Sequence, residues 1–159
     1  MKIGIGYDAH KLVLNRKLIL GGVEIPFHKG LRGHSDADVL IHAIIDAILG
    51  ALAKGDIGQI FPDNDDHYRN IDSRILLRKV AGILHTEGYS IGNVDSVICA
   101  EAPKMQPYIH KMREHIAFDL NCEINLISVK ATTEEGLGFT GEELGISAKA
   151  IVLLKQIQE

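Results

Sequence analysis

The sequence predicts an α+β fold, a mixed β-sheet with helices packed on one face. Strand-like runs are interspersed with three stretches of helical spacing. In one chain of 159 residues, such a mixture packs as a sheet covered by helices. The last strand is apolar on both sides, with Ile146, Ala148, Ala150, Val152 and Leu154 on one and Ile151 and Leu153 on the other. A strand of that kind needs cover on both faces, which favours another subunit over solvent on the helix-free face. The length fits a single domain, 1–159, with a substantial core.

Lys2 to His10 reads as a buried strand. Leu18 to Ile25 reads as a hairpin turning at Gly21-Gly22. His28 to Ser35 reads as a loop. Over Asp36 to Lys54, the spacing of Leu40, Ile44, Ala47, Ile48 and Ala51 predicts a helix stopped by Gly55. Gly55 to Asn70 is aperiodic and turn-rich, a long loop of the kind that carries function. Ser73 is placed to cap a second helix through Glu87, closed by Gly88. Val94 to Glu101 alternates as a strand. Pro107 opens a third helix with Ile109, Met112 and Ile116 on one face and Asn121 at its end. Asn125 to Thr132 reads as a strand, Glu134 to Glu143 as a glycine-rich loop, and Ile146 to Gln156 as the final strand.

Composition narrows the class. Hydrophobic residues make up 46% and charged residues 24%, as in ordinary globular proteins. A net charge of −4 argues against a nucleic-acid binder. Cys99 and Cys122 form no disulfide framework, so a reducing, intracellular compartment is expected. The start of the chain carries no signal-peptide pattern. The longest apolar stretch, Val39 to Ala53, is broken by His42 and Asp46, so no membrane span is expected.

Chemistry-bearing residues gather near strand ends and helix starts. Asp8 and His10 are two apart on a strand and share a face; a carboxylate beside an imidazole supplies two ligands of a catalytic metal site. His42 lies inside the first predicted helix, with Asp38 and Asp46 one turn away on its own face. A carboxylate there can accept the imidazole N–H that a metal leaves unused. Two histidines and a carboxylate make the open, three-ligand set typical of catalytic zinc. Spacing alone does not bring His42 to the pair, and a lone helical histidine is as readily a core or surface residue.

Gly33-His-Ser-Asp-Ala-Asp38 reads as a capped helix start with Ser35 or Asp36 as N-cap. Its free N–H groups also favour phosphate, with His34 as a further donor. Asp56 stands between Gly55 and Ile57-Gly58, where backbone can approach a ligand and a carboxylate suits sugar hydroxyls. The plain alternative there, and for Phe61 to Asp65, is a solvated acidic loop. Lys130 to Gly141 leaves a strand into a loop with three glycines. Its hydroxyls and N–H groups suit phosphate oxygens, and Glu134 or Glu135 suits Mg²⁺; it lacks the Gly-Lys-Ser/Thr of a Walker loop. Ala100 to Gln106 reads first as a proline-containing connection.

Together, several segments resemble the 2-C-methyl-D-erythritol 2,4-cyclodiphosphate synthase family in order and spacing, from Lys2 to the last strand. They are Gly6-Tyr-Asp-Ala-His10, Gly33-His-Ser-Asp-Ala-Asp-Val39 with His42, Gly55-Asp-Ile-Gly58, Phe61-Pro-Asp63, Ala102-Pro-Lys-Met105, and Val129-Lys-Ala-Thr-Thr-Glu134 through Gly138-Phe-Thr-Gly141. The resemblance implies a cytoplasmic phosphorus–oxygen lyase of non-mevalonate isoprenoid biosynthesis. Its substrate would be 4-diphosphocytidyl-2-C-methyl-D-erythritol 2-phosphate, whose 2-phosphate attacks the β-phosphorus and releases CMP. It also implies a homotrimer with active sites between adjacent subunits, and neither nucleic acid nor membrane as partner.

Carried over by position, the resemblance makes Asp8, His10 and His42 ligands of Zn²⁺, with a fourth position open to a β-phosphate oxygen. Glu135 holds Mg²⁺ or Mn²⁺ at the diphosphate. His34 and Thr133 stabilise the transition state, and Ser35 holds the methylerythritol phosphate. Asp8, Ala9 and His10 also face substrate. Asp56, Ile57 and Gly58 contact sugar hydroxyls. Phe61, Pro62, Asp63, Asn64 and Asp65 form a flexible loop over the substrate. Ala100, Glu101, Ala102, Pro103, Lys104, Met105 and Gln106 form the cytosine pocket, and Thr132, Thr133, Glu134, Glu135 and Phe139 contact phosphates and nucleotide. No general base is needed, because the attacking phosphate is already ionised.

One departure concerns Glu142 and Lys149, where many members of the family have arginine and glutamate lining the trimer axis. With the charges exchanged, Glu142 and Lys149 are expected still to pair, with weaker diphosphate binding at the axis; a substrate contact at position 142 is left open. Other readings are a zinc phosphohydrolase using water, a non-catalytic metal- or nucleotide-binding protein, and a scaffold with structural histidines.

Overall fold

Five strands form one mixed sheet in the order β4-β1-β7-β5-β6. The computed structural model describes residues 1–62 and 64–157; the expectation for Asp63 lies outside the described residues. Strand β1 (Lys2–Leu14) pairs antiparallel with β7 (Gly145–Gln156) over Lys2 to Lys11, then with β4 (Lys29–Leu31) over Leu12 to Leu14. Strand β5 (Tyr89–Cys99) lies antiparallel to β7 and parallel to β6 (Ile127–Thr132). A separate hairpin, β2 (Leu18–Leu20) and β3 (Val23–Ile25), turns at Gly21 and Gly22. Both glycines have positive φ, +57° and +71°, as a tight two-residue hairpin requires.

The first strand continues four residues past the predicted His10, so Asp8 and His10 are not at its end. They stand where β1 is about to leave β7 for β4. The segment predicted as a loop from His28 to Ser35 contains β4. Strand β5 begins at Tyr89, five residues before the predicted Val94, because a bulge at Gly92 lets the ladder continue past an irregular position.

Helices α1 (Val39–Ala51), α3 (Ser73–Thr86) and α4 (Gln106–Asp119) cover one face. The N-cap of α1 is Asp38 rather than Ser35 or Asp36. Its carboxylate accepts from the N–H groups of Ile41 at 3.1 Å, Gly21 at 3.0 Å and Gly22 at 2.7 Å. One buried side chain thus ends the loop, starts the helix and anchors the hairpin. Asp72, not Ser73, caps α3. The long loop after α1 contains a single turn, α2 (Ile57–Ile60), and a 3₁₀ turn over Asp66–Tyr68. Within the glycine-rich loop, Gly138–Gly141 forms another turn, α5.

Helix α1 lies directly on β1 because Gly4 and Gly6 carry no side chain. A Cβ on Gly6 would overlap the Ala43 carbonyl oxygen and stand 2.7 Å from the Ala47 nitrogen; one on Gly4 would meet Ala47 and Ala51. The core is the apolar face of α1 with Ile98, Ala148, Ala150, Val152 and Leu154. The opposite sheet face is bare, with Ile3 and Ile5 more than 70% exposed and Tyr7 and Ile151 about half exposed. Of the last strand's two apolar sides, one is therefore core, while Ile151 and the half-buried Leu153 lie on the open face. Among the described residues no helix is long and apolar enough to cross a membrane.

Candidate active site

Asp8 and His10 project from β1 toward α1, on the side of the strand that carries Gly4 and Gly6. The close approach those glycines permit brings His42, one turn into α1, onto the pair. Asp8 Oδ2 lies 2.9 Å from His10 Nε2 and 3.0 Å from His42 Nδ1, and the two nitrogens are 3.2 Å apart. The third ligand that spacing could not place is thus brought in by tertiary packing. Tetrahedral ligands at about 2.0–2.2 Å from an ion lie roughly 3.3–3.6 Å from one another, so a few tenths of an ångström of opening would admit one. The donor set, one carboxylate oxygen and two imidazole nitrogens, suits a divalent ion such as zinc.

Burial opposes the charge on Asp8, but the hydrogen bonds and positive fields of His10 and His42 prevail and hold its carboxyl down at about 2. For His10, burial disfavours the proton, while Asp8 and the Arg32 carbonyl outweigh it and raise the pKa. The His10 Nδ1–H donates to that carbonyl at 2.9 Å, leaving Nε2 for the cluster. The expected acceptors for His42, Asp38 and Asp46, are committed elsewhere. Asp38 caps the helix, and Asp46 accepts from the Ile57 N–H at 2.8 Å. His42 Nε2 instead meets the hydroxyls of Ser73 at 2.9 Å and Ser35 at 3.2 Å. Sequence reading missed Ser73 in this role; the sequence marks it only as a helix cap, and that says nothing of a histidine 31 residues away.

The cluster floors a cavity of about 220 Å³ walled by Gly33, His34, Ser35, Ile57, Gly58 and Phe61, among others. His34 reaches it from the loop before α1, with Nε2 3.2 Å from the Asp65 carbonyl. The same loop is held by backbone bonds from Asn70 N–H to the His34 carbonyl and from Asp36 N–H to the Ile71 carbonyl. Phe61 is buried against Tyr68, 5.4 Å between ring centroids, while Pro62 and Asn64 are exposed. Asp56 does not line the cavity: its carboxylate caps α2, accepting from the Gln59 N–H at 2.9 Å. Ala9 is exposed on the other side of β1.

The second group of expected residues gathers elsewhere. Ala100 to Gln106 and Thr132 to Glu135 leave the ends of neighbouring parallel strands, where Cys99 is paired with Thr132 and the Ala100 N–H donates to the Thr132 carbonyl at 3.0 Å. Glu101 accepts from the Gly136 N–H at 3.4 Å, Glu134 from the Thr140 hydroxyl, and Glu135 from the Thr133 hydroxyl at 3.2 Å. Every residue from Ala131 to Phe139 is exposed, as is Lys104, whereas Met105 is buried. These strand ends share an end of the sheet with His10 but stand two (β5) and three (β6) strand spacings away, roughly 10 and 14 Å. None of them lines the cavity. Glu142 is exposed at the end of α5, and Lys149 stands on the open face with its ammonium 5.9 Å from the Tyr7 ring centroid. The expected Glu142–Lys149 pair is not formed within the chain, because β7 register sets Lys149 beside Tyr7.

The fold and site define a class: an α+β protein with a pocket floored by a carboxylate and two histidines in metal-ligating array. The chain belongs to the YgbB family, whose sequence pattern matches residues 1–155, and it is an enzyme. It is 60% identical over 159 residues to the 2-C-methyl-D-erythritol 2,4-cyclodiphosphate synthase of Carboxydothermus hydrogenoformans, covering all of this chain and 98% of that one. It is 62% identical over 156 residues to the synthase of the same name from Finegoldia magna, covering 98% of each. Among solved structures, an IspF of Plasmodium falciparum described as a CDP complex matches with a TM-score of 0.87 at 38% identity, over 99% of this chain and 97% of that one. The bifunctional IspDF of Campylobacter jejuni matches with a TM-score of 0.95 at 39% identity over 99% of this chain; the chain spans 42% of that protein's length.

Proposed function

We propose that this enzyme converts 4-diphosphocytidyl-2-C-methyl-D-erythritol 2-phosphate to 2-C-methyl-D-erythritol 2,4-cyclodiphosphate and CMP. One oxygen of the 2-phosphate forms a bond to the β-phosphorus; the bond from that phosphorus to the oxygen bridging to CMP breaks, and CMP leaves with the electron pair. The convergence of Asp8, His10 and His42 carries this reading, in a chain 60% identical end to end to a protein named for that product. Asp8, His10 and His42 would hold Zn²⁺, and Glu135 would hold Mg²⁺ or Mn²⁺. Such ions, when bound, draw electron density from the β-phosphorus and stabilise the departing phosphate.

The remaining work is positioning and charge neutralisation. Ser35 accepts from the Ala37 N–H at 3.1 Å and faces His42 Nε2, which leaves its O–H to donate to the methylerythritol phosphate. His34 and Thr133 donate to oxygens on which charge grows. Ile57 and Gly58 offer backbone to the sugar, with Asp56 turning from its cap to join them. Phe61, Pro62, Asn64 and Asp65 cover it. Residues Ala100 to Gln106 receive the cytosine, and Thr132, Glu134 and Phe139 the phosphates and nucleotide.

Active sites lie between subunits of a homotrimer in the cytoplasm. Two features support the assembly: the bare apolar face of Ile3, Ile5, Tyr7 and Ile151, and the separation of the metal pocket from the exposed 131–139 segment within one chain. A neighbour's segment brought to the pocket would complete it. The test is incubation with substrate and divalent ions, followed by phosphorus NMR. CMP with a cyclic diphosphate is expected. CMP with an open-chain bisphosphate would identify water as the nucleophile, and absence of CMP would overturn the reading.

A further inference from the structure

We propose that Ser73 and Asp36 are positioning residues that favour the His42 tautomer able to ligate a metal ion through Nδ1; this rests on the metal reading of the Asp8–His10–His42 cluster. An imidazole ligates through a bare nitrogen and carries its proton on the other. His42 turns Nδ1 to the cluster, 3.0 Å from Asp8 Oδ2; an ion held there would take the place of the proton that Nδ1 shares with Asp8, and the imidazole proton would then belong on Nε2.

A hydroxyl alone does not enforce that, because it donates as readily as it accepts. Ser73 Oγ, 2.9 Å from Nε2, could equally give its proton to Nε2 and drive the imidazole proton onto Nδ1, where it would block the ligand position. Asp36 removes the choice. Its Oδ1 takes the Ser73 hydroxyl proton, and its Oδ2 accepts the Ser73 backbone N–H at 3.0 Å. With its one proton given to Asp36, the Ser73 hydroxyl has only lone pairs left for His42 and receives from Nε2. The Ser35 hydroxyl, 3.2 Å from Nε2, takes the Ala37 N–H at 3.1 Å and is itself open to accept.

Three pieces of chain build this line: Asp36 from the loop before α1, His42 from α1, and Ser73 from the start of α3. Ser73 is fully buried, so water does not replace it. His10 is fixed in the opposite sense, its Nδ1–H given to the Arg32 carbonyl, which can only accept. The two histidines therefore present different nitrogens to one point, His10 set by a carbonyl that cannot donate and His42 by a hydroxyl whose proton is given to Asp36. Partners of this kind typically alter metal affinity 10- to 100-fold.

The test uses metal-stripped full-length protein, Zn²⁺ titration against a chromogenic chelator, and nitrogen NMR of the histidine rings. In the Zn²⁺-saturated wild type, the His42 proton is expected on Nε2 with slow solvent exchange; an Nε2 proton that exchanges freely, or a proton on Nδ1, would overturn the proposal without any variant. Ser73→Ala is expected to weaken Zn²⁺ binding 10- to 100-fold and to let the proton move or exchange. Ser73→Thr, which restores the hydroxyl, should regain most of the loss, and Asp36→Asn should give an intermediate one. Wild-type affinity in Ser73→Ala with the proton still on Nε2 would sink the idea. His42→Ala separates the two readings: if it binds Zn²⁺ as tightly as wild type, the metal assignment falls as well. If it loses binding while Ser73→Ala does not, only the positioning role falls.

Discussion

Asp8, with its carboxyl held at about 2 beside two imidazoles, is charged at neutral pH. Its burial is compensated by partners that are themselves the other ligand candidates, so charge balance and site geometry are one fact. Asp119 shows the structural counterpart. Fully buried, it accepts from Arg74 at 2.7 and 3.0 Å and from Arg78 at 2.9 Å, tying α3 to α4 outside the pocket lining. The cysteines carry no such load. Cys99 is buried, and burial followed by the nearby Glu123 charge pushes the Cys122 thiol up to about 11. At pH 8 only about one Cys122 in a thousand is then a thiolate. Alkylation by iodoacetamide should be slow at pH 8 and rise about tenfold per unit toward pH 10. Rapid labelling at pH 8 would show that the thiol is not held in this way.

Gly4 and Gly6 turn a strand–helix contact into a metal site at the scale of elements. Only a bare backbone at these positions lets α1 settle close enough for His42 to touch Asp8. Gly6→Val should destabilise the fold by about 3 kcal/mol or more, since the clash is with helix backbone rather than a flexible side chain. It should also lower Zn²⁺ affinity, because the helix can relieve the clash only by carrying His42 away. Urea unfolding with a parallel metal titration checks both; an unchanged midpoint would show the helix sits farther out. Most of these elements were legible from periodicity, α1 above all. The cap was not: Ser35, Asp36 and Asp38 are all good N-cap residues, and the hairpin N–H groups of Gly21 and Gly22 select Asp38.

Over the whole molecule, the pocket and the exposed 131–139 segment do not meet within one chain, and a wide apolar face stands bare. Neighbouring chains that complete each other's sites would explain both. His42→Ala and Glu135→Gln each damage a different half, so each variant alone should be inactive. Unfolded together and refolded, they should recover part of the wild-type turnover, because some interfaces join two intact halves. Continued inactivity in verified mixed oligomers would mean each site is built within one chain. Ile5→Glu on the bare face should convert the assembly to folded single chains, measured by sedimentation, with turnover lost alongside.

The sequence by itself determined the α+β class, the order of the elements, the pairing of Asp8 with His10 on one strand face and the full-length family likeness. All of these follow from local periodicity or from residues near one another in the chain. Tertiary structure decided what spacing left open: that His42 touches the pair, that Asp38 caps rather than supports it, and that Ser73 and Asp36 stand behind it. The reason is physical. Glycines at positions 4 and 6 leave room for a helix, and how close that helix comes depends on every side chain packed around it. A hydrogen-bonded line from residue 36 through 73 to 42 has no period and no spacing by which it could be read.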